Sequence, residues 1–330
     1  MNESLNKNFT REEVTTALKQ MHLTKAPGPD GMSAIFYQKY WNIVGCSITN
    51  MVLNVLNGNM SITSLNGTNI ALIPKINNLK KMANFRPISL CNVVNKLISK
   101  IIANRFKALL PYIISENQSA FTFDRLITDN VLVAFELMHF LNHKNAGKEG
   151  YMAAKLDMSK VFDKVEWCFI QAVMEKLGFS PKWVNLVMRC ITSVSYSVLI
   201  NGVACGNITP TRGLRQGDPL SPTLFLICTE GLSALIHKAT RNQHSTGISI
   251  CRGCLRVTHL LFADDSILFY KASTEECQVL KQILQKYEED SGQKINTKKT
   301  SIFFSPNTSQ EVKDEIFATL GPMQDSRHTR

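Results

Sequence analysis

The chain has no apolar run able to cross a membrane. A spanning helix needs about 20 consecutive apolar residues, and the longest candidate, Leu220 to Ile236, is broken by Thr229, Glu230 and Gly231. No secretory leader is visible either, because the first residues are polar. The cysteines do not form a disulfide framework: there are nine, an odd number, at 46, 91, 168, 190, 205, 228, 251, 254 and 277, mostly inside apolar runs. Free thiols in a reducing, intracellular compartment are expected instead. Acidic residues are in deficit. Asp and Glu number 26 against 37 Lys and Arg, a net charge of +11, which favours a polyanionic partner, nucleic acid being the usual one. Basic proteins without such a partner are common, so charge alone decides nothing. Internal repeats and low-complexity tracts are absent too, which leaves a globular chain rather than an array or a tether.

What is present is ordinary for an enzyme: 330 residues, 44% apolar and 19% charged, enough for one large domain or two smaller ones. Phe9-Thr-Arg-Glu-Glu-Val14 predicts a helix start, with Thr10 as cap, Glu13 as its capping-box partner and Phe9 with Val14 as a hydrophobic staple. Ala26-Pro-Gly-Pro-Asp-Gly31 predicts a rigid turn after Lys25. Ile70 to Lys75 predicts a short strand. Asn84 to Leu90 leads into a long helix made basic by Lys96, Lys100, Arg105 and Lys107. A helix over about 129–142 groups Val131, Leu132, Phe135 and Met138 on one apolar side, and the loop 144–150 is the expected subdomain boundary. Tyr151 to Met158 is the next strand. Ser195 to Ile200, Asn201-Gly202 and Val203 onward predict a hairpin with the favoured two-residue turn. Ser221-Pro222 opens an apolar helix, Ile295 to Phe304 predicts a closing strand, and Val312, Ile316 and Leu320 mark a last helix. The mixture is α+β, with helices gathered on an antiparallel sheet.

Two adjacent carboxylates interrupt the apolar stretch His259-Leu-Leu-Phe-Ala-Asp-Asp-Ser-Ile-Leu-Phe-Tyr270. It reads as two short buried strands joined by a tight turn carrying Asp264 and Asp265. Like charges in a partly dry site repel, and a divalent cation would let both stay ionised. A plain polar turn explains Ala-Asp-Asp-Ser equally well when it is taken alone. Asp157 ends another apolar strand, and a third acid is what a two-metal phosphoryl-transfer site needs. The match makes sense only if the two strands are neighbours in one sheet. Between them, Arg212-Gly-Leu-Arg-Gln-Gly-Asp-Pro-Leu-Ser-Pro222 offers glycines for close approach to a flat ligand. Gln216 could hydrogen-bond that ligand, and Arg215 could neutralise a phosphate.

Lys155-Leu-Asp-Met-Ser-Lys-Val-Phe-Asp-Lys-Val-Glu-Trp167, Gly213-Leu-Arg-Gln-Gly-Asp-Pro-Leu-Ser-Pro222 and Phe262-Ala-Asp-Asp265 resemble reverse-transcriptase motifs A, B and C. The wording is similar to that of plant LINE-type non-LTR retrotransposons. The likeness extends to Lys25-Ala-Pro-Gly-Pro-Asp-Gly31, Asn84-Phe-Arg-Pro-Ile-Ser-Leu90, Ser115-Glu-Asn-Gln-Ser-Ala-Phe121 and Ser291-Gly-Gln-Lys-Ile-Asn296, in order along almost the whole chain. The resemblance implies an α+β right-hand polymerase with fingers and palm, an antiparallel palm sheet packed with helices, and a thumb largely absent. It implies an N-terminal helical extension of the fingers over 1–58 and a reverse transcriptase domain over 59–330. Fingers would lie mainly over 59–150 and about 168–210, palm mainly over 151–167 and 211–305, and a short C-terminal helix over 309–320.

The same resemblance assigns roles. Asp157, Asp264 and Asp265 match the triad that holds two Mg²⁺ ions, with Mn²⁺ as a substitute and the backbone carbonyl of Met158 as a further ligand. Phe162 matches the bulky residue that excludes a ribose 2′-hydroxyl, since an aromatic ring there offers neither room nor a partner. Gln216 and Gly217 are the expected nucleotide contacts of motif B. Arg86 and Arg125 fall where the family uses basic groups on the incoming triphosphate, and Lys299 where a lysine suits protonation of the leaving pyrophosphate. RNA template, DNA primer and dNTP are the implied partners, with no membrane; nucleus and cytoplasm are the implied locations.

Some wording departs from the family. Val161-Phe-Asp-Lys164 stands where Ala-Tyr-Asp-Arg is usual, and Thr122-Phe-Asp-Arg125 replaces a more glycine-rich loop. The chain begins after any endonuclease domain and stops at Arg330, before a thumb, RNase H or terminal zinc finger, as expected of a fragment of a retroelement polyprotein. A relic that binds RNA without polymerising is the alternative expectation. An RNA-dependent RNA polymerase is a third, opposed by Phe162. Cys251-x2-Cys254-x4-His259 opens like a zinc knuckle, but the fourth position falls on Asp264 and the segment reads as strand, so no zinc is expected.

Overall fold

The computed structural model describes residues 1–77, 81–122, 124–251, 253–321 and 323–325. Helices α1 (Asn2–Leu5), α2 (Arg11–Lys19), α3 (Ala34–Lys39) and α4 (Trp41–Leu56) precede strands β1 (Gly67–Pro74) and β2 (Phe85–Cys91). Next come α5 (Val93–Lys107), α6 (Leu110–Ile113), α7 (Ile127–His143), β3 (Tyr151–Leu156) and β4 (Met158–Ser159). Helices α8 (Trp167–Lys176) and α9 (Pro181–Thr192), the hairpin β5 (Ser195–Ile200) and β6 (Val203–Ile208), and α10 (Ser221–Arg241) follow. The last elements are β7 (His259–Phe262), β8 (Asp265–Lys271), α11 (Thr274–Ser291), β9 (Lys294–Ile295), β10 (Ser301–Phe304), α12 (Gln310–Leu320) and β11 (Gln324–Asp325). The chain divides into two units: Met1–Leu109 with Trp167–Leu224, and Leu110–Glu166 with Phe225 onward. Among the described residues no helix is long and apolar enough to cross a membrane.

In the first unit the predicted capping box forms. Glu13 N donates to Thr10 Oγ1 at 3.4 Å, and Thr10 N donates to Glu13 Oε2 at 2.9 Å. The sheet runs β2-β1-β5-β6, with β1 antiparallel to β2 and parallel to β5. Asn84 to Leu90, expected only as a lead into a helix, is therefore mostly strand. Its Pro87 is tolerated because β2 lies at a sheet edge, where a missing N–H costs no ladder bond. The β5–β6 turn has Asn201 at φ +51° and Gly202 at φ +83°, the backbone that a right-twisted hairpin favours. Helix α5 buries Leu97, Ile98, Ile101 and Ile102. Arg105 is not part of a basic surface: its Nε and Nη2 pair with Glu13 at 2.7 and 2.9 Å, and its guanidinium lies 3.6 Å from the centre of the Phe9 ring.

The second unit holds the sheet β11-β10-β3-β8-β7. Strand β3 runs antiparallel to β10 and β8, and β7 antiparallel to β8, while β10 and β11 are parallel. Three expectations are corrected here. Helix α7 packs on the sheet through Leu137 and Leu141, against Ala153 and Phe269, whereas Val131, Leu132 and Phe135 are 57%, 63% and 65% exposed. Met138, expected with them, does pack against this core; the helix is apolar on more than one side, so periodicity alone did not separate its buried face from its exposed one. Helix α7 and strand β3 share this core within the second unit. The single closing strand is two pieces, β9 on β4 and β10 on β3, separated by a turn over 296–300. Cys251 and Cys254, expected as free thiols, are joined by a disulfide with Cα atoms 5.5 Å apart. A turn in which Cys254 N donates to Cys251 O brings them together. The other seven cysteines are free.

Helix α11 ends on Gly292 at φ +73°, and a Cβ there would stand 2.5 Å from the Lys164 carbonyl oxygen. The neighbouring Ser291 O accepts from Glu166 N at 2.9 Å. Left-handed backbone and a backbone neighbour at that range each exclude a side chain. Gly292→Ala is expected to lower stability by at least about 2 kcal/mol, read as a drop in the urea midpoint without a change in slope.

Candidate active site

Strands β3 and β8 pair from Tyr151↔Lys271 to Leu156↔Ser266. Asp157 and Asp265 are the next residue on each side of the last pair, so two acids remote in sequence stand at one end of neighbouring strands. Phe262 pairs with Asp265, leaving Ala263 and Asp264 as a two-residue turn. Ala263 sits at φ +53°, in the left-handed region that hairpins normally give to glycine. Asp264 and Asp265 are exposed and Asp157 is half-buried. Among the described residues no Lys or Arg forms an ion pair with any of the three.

Buried amides hold this turn in place. Gln118, fully buried, accepts from Ala263 N at 3.1 Å and from Ala120 N at 3.0 Å through one oxygen, Oε1. Asn117 Nδ2 donates to His259 O at 2.8 Å, and Asn130 Nδ2 donates to Leu261 O at 2.9 Å. On the other side, Asn296 Nδ2 donates to Asp157 Oδ2 at 3.0 Å, and Asn296 N donates to Asp157 O at 2.7 Å. Asp157 N donates to the hydroxyl of Thr300 at 3.3 Å. None of these amides stood out as a site residue in the sequence, although Asn117, Gln118 and Asn296 lie inside segments already singled out. The available signal was a polar side chain in an otherwise apolar neighbourhood.

Lys299 is exposed in the 296–300 turn, next to the residues that hold Asp157. Met158 starts β4 and pairs with Ile295. Phe162 is half-buried, its ring 5.2 Å from that of Phe225, and Gln293 Nε2 donates to the preceding Val161 O at 3.2 Å. Arg125 has a different task from the one its motif suggests. Its Nη1 donates to Ser115 O and Gln118 O at 2.5 and 2.6 Å, and its Nη2 to Ile114 O and Pro111 O at 2.9 and 3.4 Å. Those four bonds fasten the 111–125 segment; Phe123 lies outside the described residues. Among the described residues no three His, Cys, Asp or Glu side chains converge as a metal-binding group.

Arg86, Gln216 and Gly217 belong to the first unit. Arg86 is exposed on β2, and Gln216 O accepts from Ser89 N at 3.0 Å. Gly217 is exposed at φ +103°. Arg215, read as a phosphate partner, is instead internal. It pairs with Asp218 at 2.6 Å, the two side chains being 4% and 2% exposed, and it also donates to Asn66. Ser99 Oγ donates to Asp218 Oδ2 at 3.2 Å. The pair lies inside the loop ahead of α10, shielded from solvent.

His259 is fully buried, with Nε2 2.9 Å from Ser233 Oγ and Nδ1 2.9 Å from Thr258 Oγ1. Burial and the neighbouring His237 push its pKa down to about 3. Both ring nitrogens are thus occupied, and Cys251 and Cys254 are joined to each other.

A reverse transcriptase (RNA-dependent DNA polymerase) family profile matches residues 73–321. The chain belongs to that family. It is 29% identical over 306 residues to the Transposon TX1 uncharacterized 149 kDa protein of Xenopus laevis, covering 91% of this chain and 22% of that protein. It is 26% identical over 261 residues to the Retrovirus-related Pol polyprotein from type-1 retrotransposable element R2 of Popillia japonica, covering 79% of this chain and 34% of that protein. An uncharacterized mitochondrial protein of Arabidopsis thaliana is 53% identical over 68 residues, 21% of this chain and 56% of that protein. The chain thus spans less than two thirds of the length of each of these relatives.

Two tests follow from the geometry. Gln118→Leu leaves two backbone N–H groups without their acceptor and is expected to cost about 2–4 kcal/mol, measured by urea unfolding. His259 makes stability pH-dependent: the unfolded chain binds a proton near the ordinary value of about 6.5, the folded chain only near 3. Between those values the unfolded state binds more protons, so stability falls as pH falls, by up to about 1.4 kcal/mol per pH unit. His259→Gln is expected to flatten the slope of unfolding free energy between pH 6.5 and 5.

Proposed function

We propose that this chain is the fingers and palm of an RNA-directed DNA polymerase from a plant LINE-type retrotransposon. It would extend a DNA primer on an RNA template by consuming dNTP, in the nucleus and cytoplasm. The observation that supports the reading is the β3–β8 pairing, which ends one residue before Asp157 and Asp265, beside a turn that also bears Asp264. Fingers mainly over 59–150 and about 168–210, and palm mainly over 151–167 and 211–305, are the division this reading assigns.

The donor set suits hard cations: three carboxylates and the Met158 carbonyl, with no cationic side chain paired to the acids among the described residues. Bound Mg²⁺, in two sites, or Mn²⁺ in its place, would make the primer 3′-hydroxyl a better nucleophile and offset phosphate charge. Asp264 and Asp265 are exposed, so turning their carboxylates between rotamers costs little. Asp157 is held at one oxygen by Asn296, which leaves the other oxygen for a cation. The 3′-hydroxyl gives up its proton to solvent as its oxygen attacks the α-phosphorus of the dNTP, the bond to the bridging oxygen of pyrophosphate breaks, and Lys299 hands a proton to that leaving oxygen and regains one from solvent. Phe162, backed by Phe225, closes the space a 2′-hydroxyl would need. Arg86, Gln216 and Gly217 bind the incoming nucleotide. Arg125 is left out of that set, because its guanidinium already donates to four carbonyls.

A second reading, a relic that binds RNA without polymerising, draws on the lack of three converging ligands among the described residues. Primer extension on an RNA template, in Mg²⁺ and in Mn²⁺, separates the two. Asp264→Asn is expected to cut extension about a thousandfold, and equal extension by both proteins overturns the polymerase reading. Phe162→Ala is expected to raise use of rNTP relative to dNTP about tenfold or more. Salt-sensitive RNA binding by the wild type with no extension in either metal selects the relic.

A further inference from the structure

Phe162 sits in a turn of the second unit rather than in a strand. Lys160 stands at φ +51°, Asp163 N donates to Lys160 O at 3.0 Å, and Val161 and Phe162 are the two residues between. A segment of this kind takes its geometry from whatever meets its backbone. Here the segment 291–295 runs beside it. Met158 and Ser159 pair with Ile295 and Lys294, and Ser291 O accepts from Glu166 N at 2.9 Å. Gly292 comes so near that a Cβ on it would stand 2.5 Å from Lys164 O. Between these contacts Gln293 Nε2 donates to Val161 O at 3.2 Å. Of the four, it is the one made by a side chain, and it falls on the carbonyl just ahead of Phe162.

The Gln293 amide is itself oriented. Gln293 and Tyr287 are each 1% exposed, and the Tyr287 hydroxyl donates to Gln293 Oε1 at 2.5 Å. That bond leaves the NH₂ as the end that faces Val161. Burial pushes the Tyr287 phenol well above its ordinary pKa, so the donated proton stays in place. Beneath the amide, Gln293 N donates to Ser291 Oγ at 3.2 Å, and Ser291 Oγ donates to Tyr287 O at 2.5 Å. The Phe162 ring packs on Phe225, which is 2% exposed, with ring centres 5.2 Å apart. Two things therefore set that ring: its contact with Phe225, and the Val161–Phe162 peptide that aims its Cα–Cβ bond. A buried, fully bonded amide is suited to the second task, because its bonds specify one geometry.

We propose that Gln293 is a positioning residue for sugar discrimination: by holding the Val161 carbonyl it keeps the Phe162 ring in the space a 2′-hydroxyl would need. The inference rests on the polymerase reading and on Phe162 as the residue that excludes ribose. Gln293 acts through Phe162, so its loss changes the choice between sugars. A misplacement of about 1 Å can change a rate about a hundredfold, so a ring released at one of its two supports is enough. The test is primer extension by the full chain on an RNA template, comparing rNTP with dNTP for wild type, Phe162→Ala, Gln293→Met and the double variant. Thermal melts establish that each is folded. Gln293→Met keeps the side-chain length and removes both hydrogen bonds; it is expected to raise use of rNTP relative to dNTP about fivefold. In the Phe162→Ala background it is expected to add nothing, because the ring it acts through is gone. Tyr287→Phe removes the hydroxyl alone and is expected to move the ratio the same way by less; it carries the test if Gln293→Met does not fold. A wild type that does not extend, or a Phe162→Ala ratio that stays put, overturns the underlying reading and this proposal with it. Where both of those hold, an unmoved ratio in the folded variant overturns the proposal alone. So does an equal loss with both sugars, or a shift that persists in full without the ring.

Discussion

The register of β3 against β8 is the constraint on which the second unit depends: it runs from Tyr151↔Lys271 to Leu156↔Ser266, and Asp157 and Asp265 are the next residue on each chain segment. The hairpin breaks a local rule, with an alanine at φ +53° where glycine is the easy residue. Local rules broken at one point, in a sheet otherwise regular, are how a binding function shows itself against the demands of folding. Slipping the register by one residue would turn Ala153 and Phe269 away from Leu137 and Leu141, so the core fixes the pairing.

Irregular segments carry most of the site, and they are fixed by a recurring device. A buried amide or guanidinium donates to, or accepts from, backbone that no ladder serves. Gln118 and Asn130 do this for the turn and its flanks, Asn296 for Asp157, and Arg125 for the segment ahead of Gln118. In the first unit Arg105 does it for the N-terminal segment. Each such bond is worth only about 1 kcal/mol net, but leaving the same buried backbone group unpaired costs more. The bonds therefore select a conformation more than they add stability. That selection is what a site needs, since its residues must hold one geometry without help from regular structure.

The β-hairpin, its two acids and the capped helices were legible because each is written locally. Alternation, a two-residue turn and a cap need no knowledge of the rest of the chain, and Thr10, Asn201-Gly202 and Asp264-Asp265 all carry their meaning within a few residues. What was not legible depended on distant partners. Helix α7 has apolar residues on more than one side, and only the sheet beneath it selects Leu137 and Leu141 for burial over Val131, Leu132 and Phe135. The break in the strand over 295–304 exists because Asn296 and Thr300 bond to a residue far back in the chain. Arginines misled for the same reason. A guanidinium in a loop looks like a phosphate ligand until its carbonyl or carboxylate partners are seen, as at Arg125 and Arg215.

This last point changes what a net charge of +11 means. Arg105, Arg125 and Arg215 are internal fasteners, committed to Glu13, to carbonyls or to Asp218, and a polyanion outside cannot use them. Counting cations therefore overstates the field available for nucleic acid, and the location of the uncommitted ones matters more than the total. The turn of the second unit and the end of β3 are the reverse case, three carboxylates with no cationic side chain paired to them among the described residues. Charges left without a partner are relieved by a ligand of the opposite sign, and carboxylates together suit a divalent cation. The imbalance left at that place is therefore explained by local chemistry without invoking the overall charge.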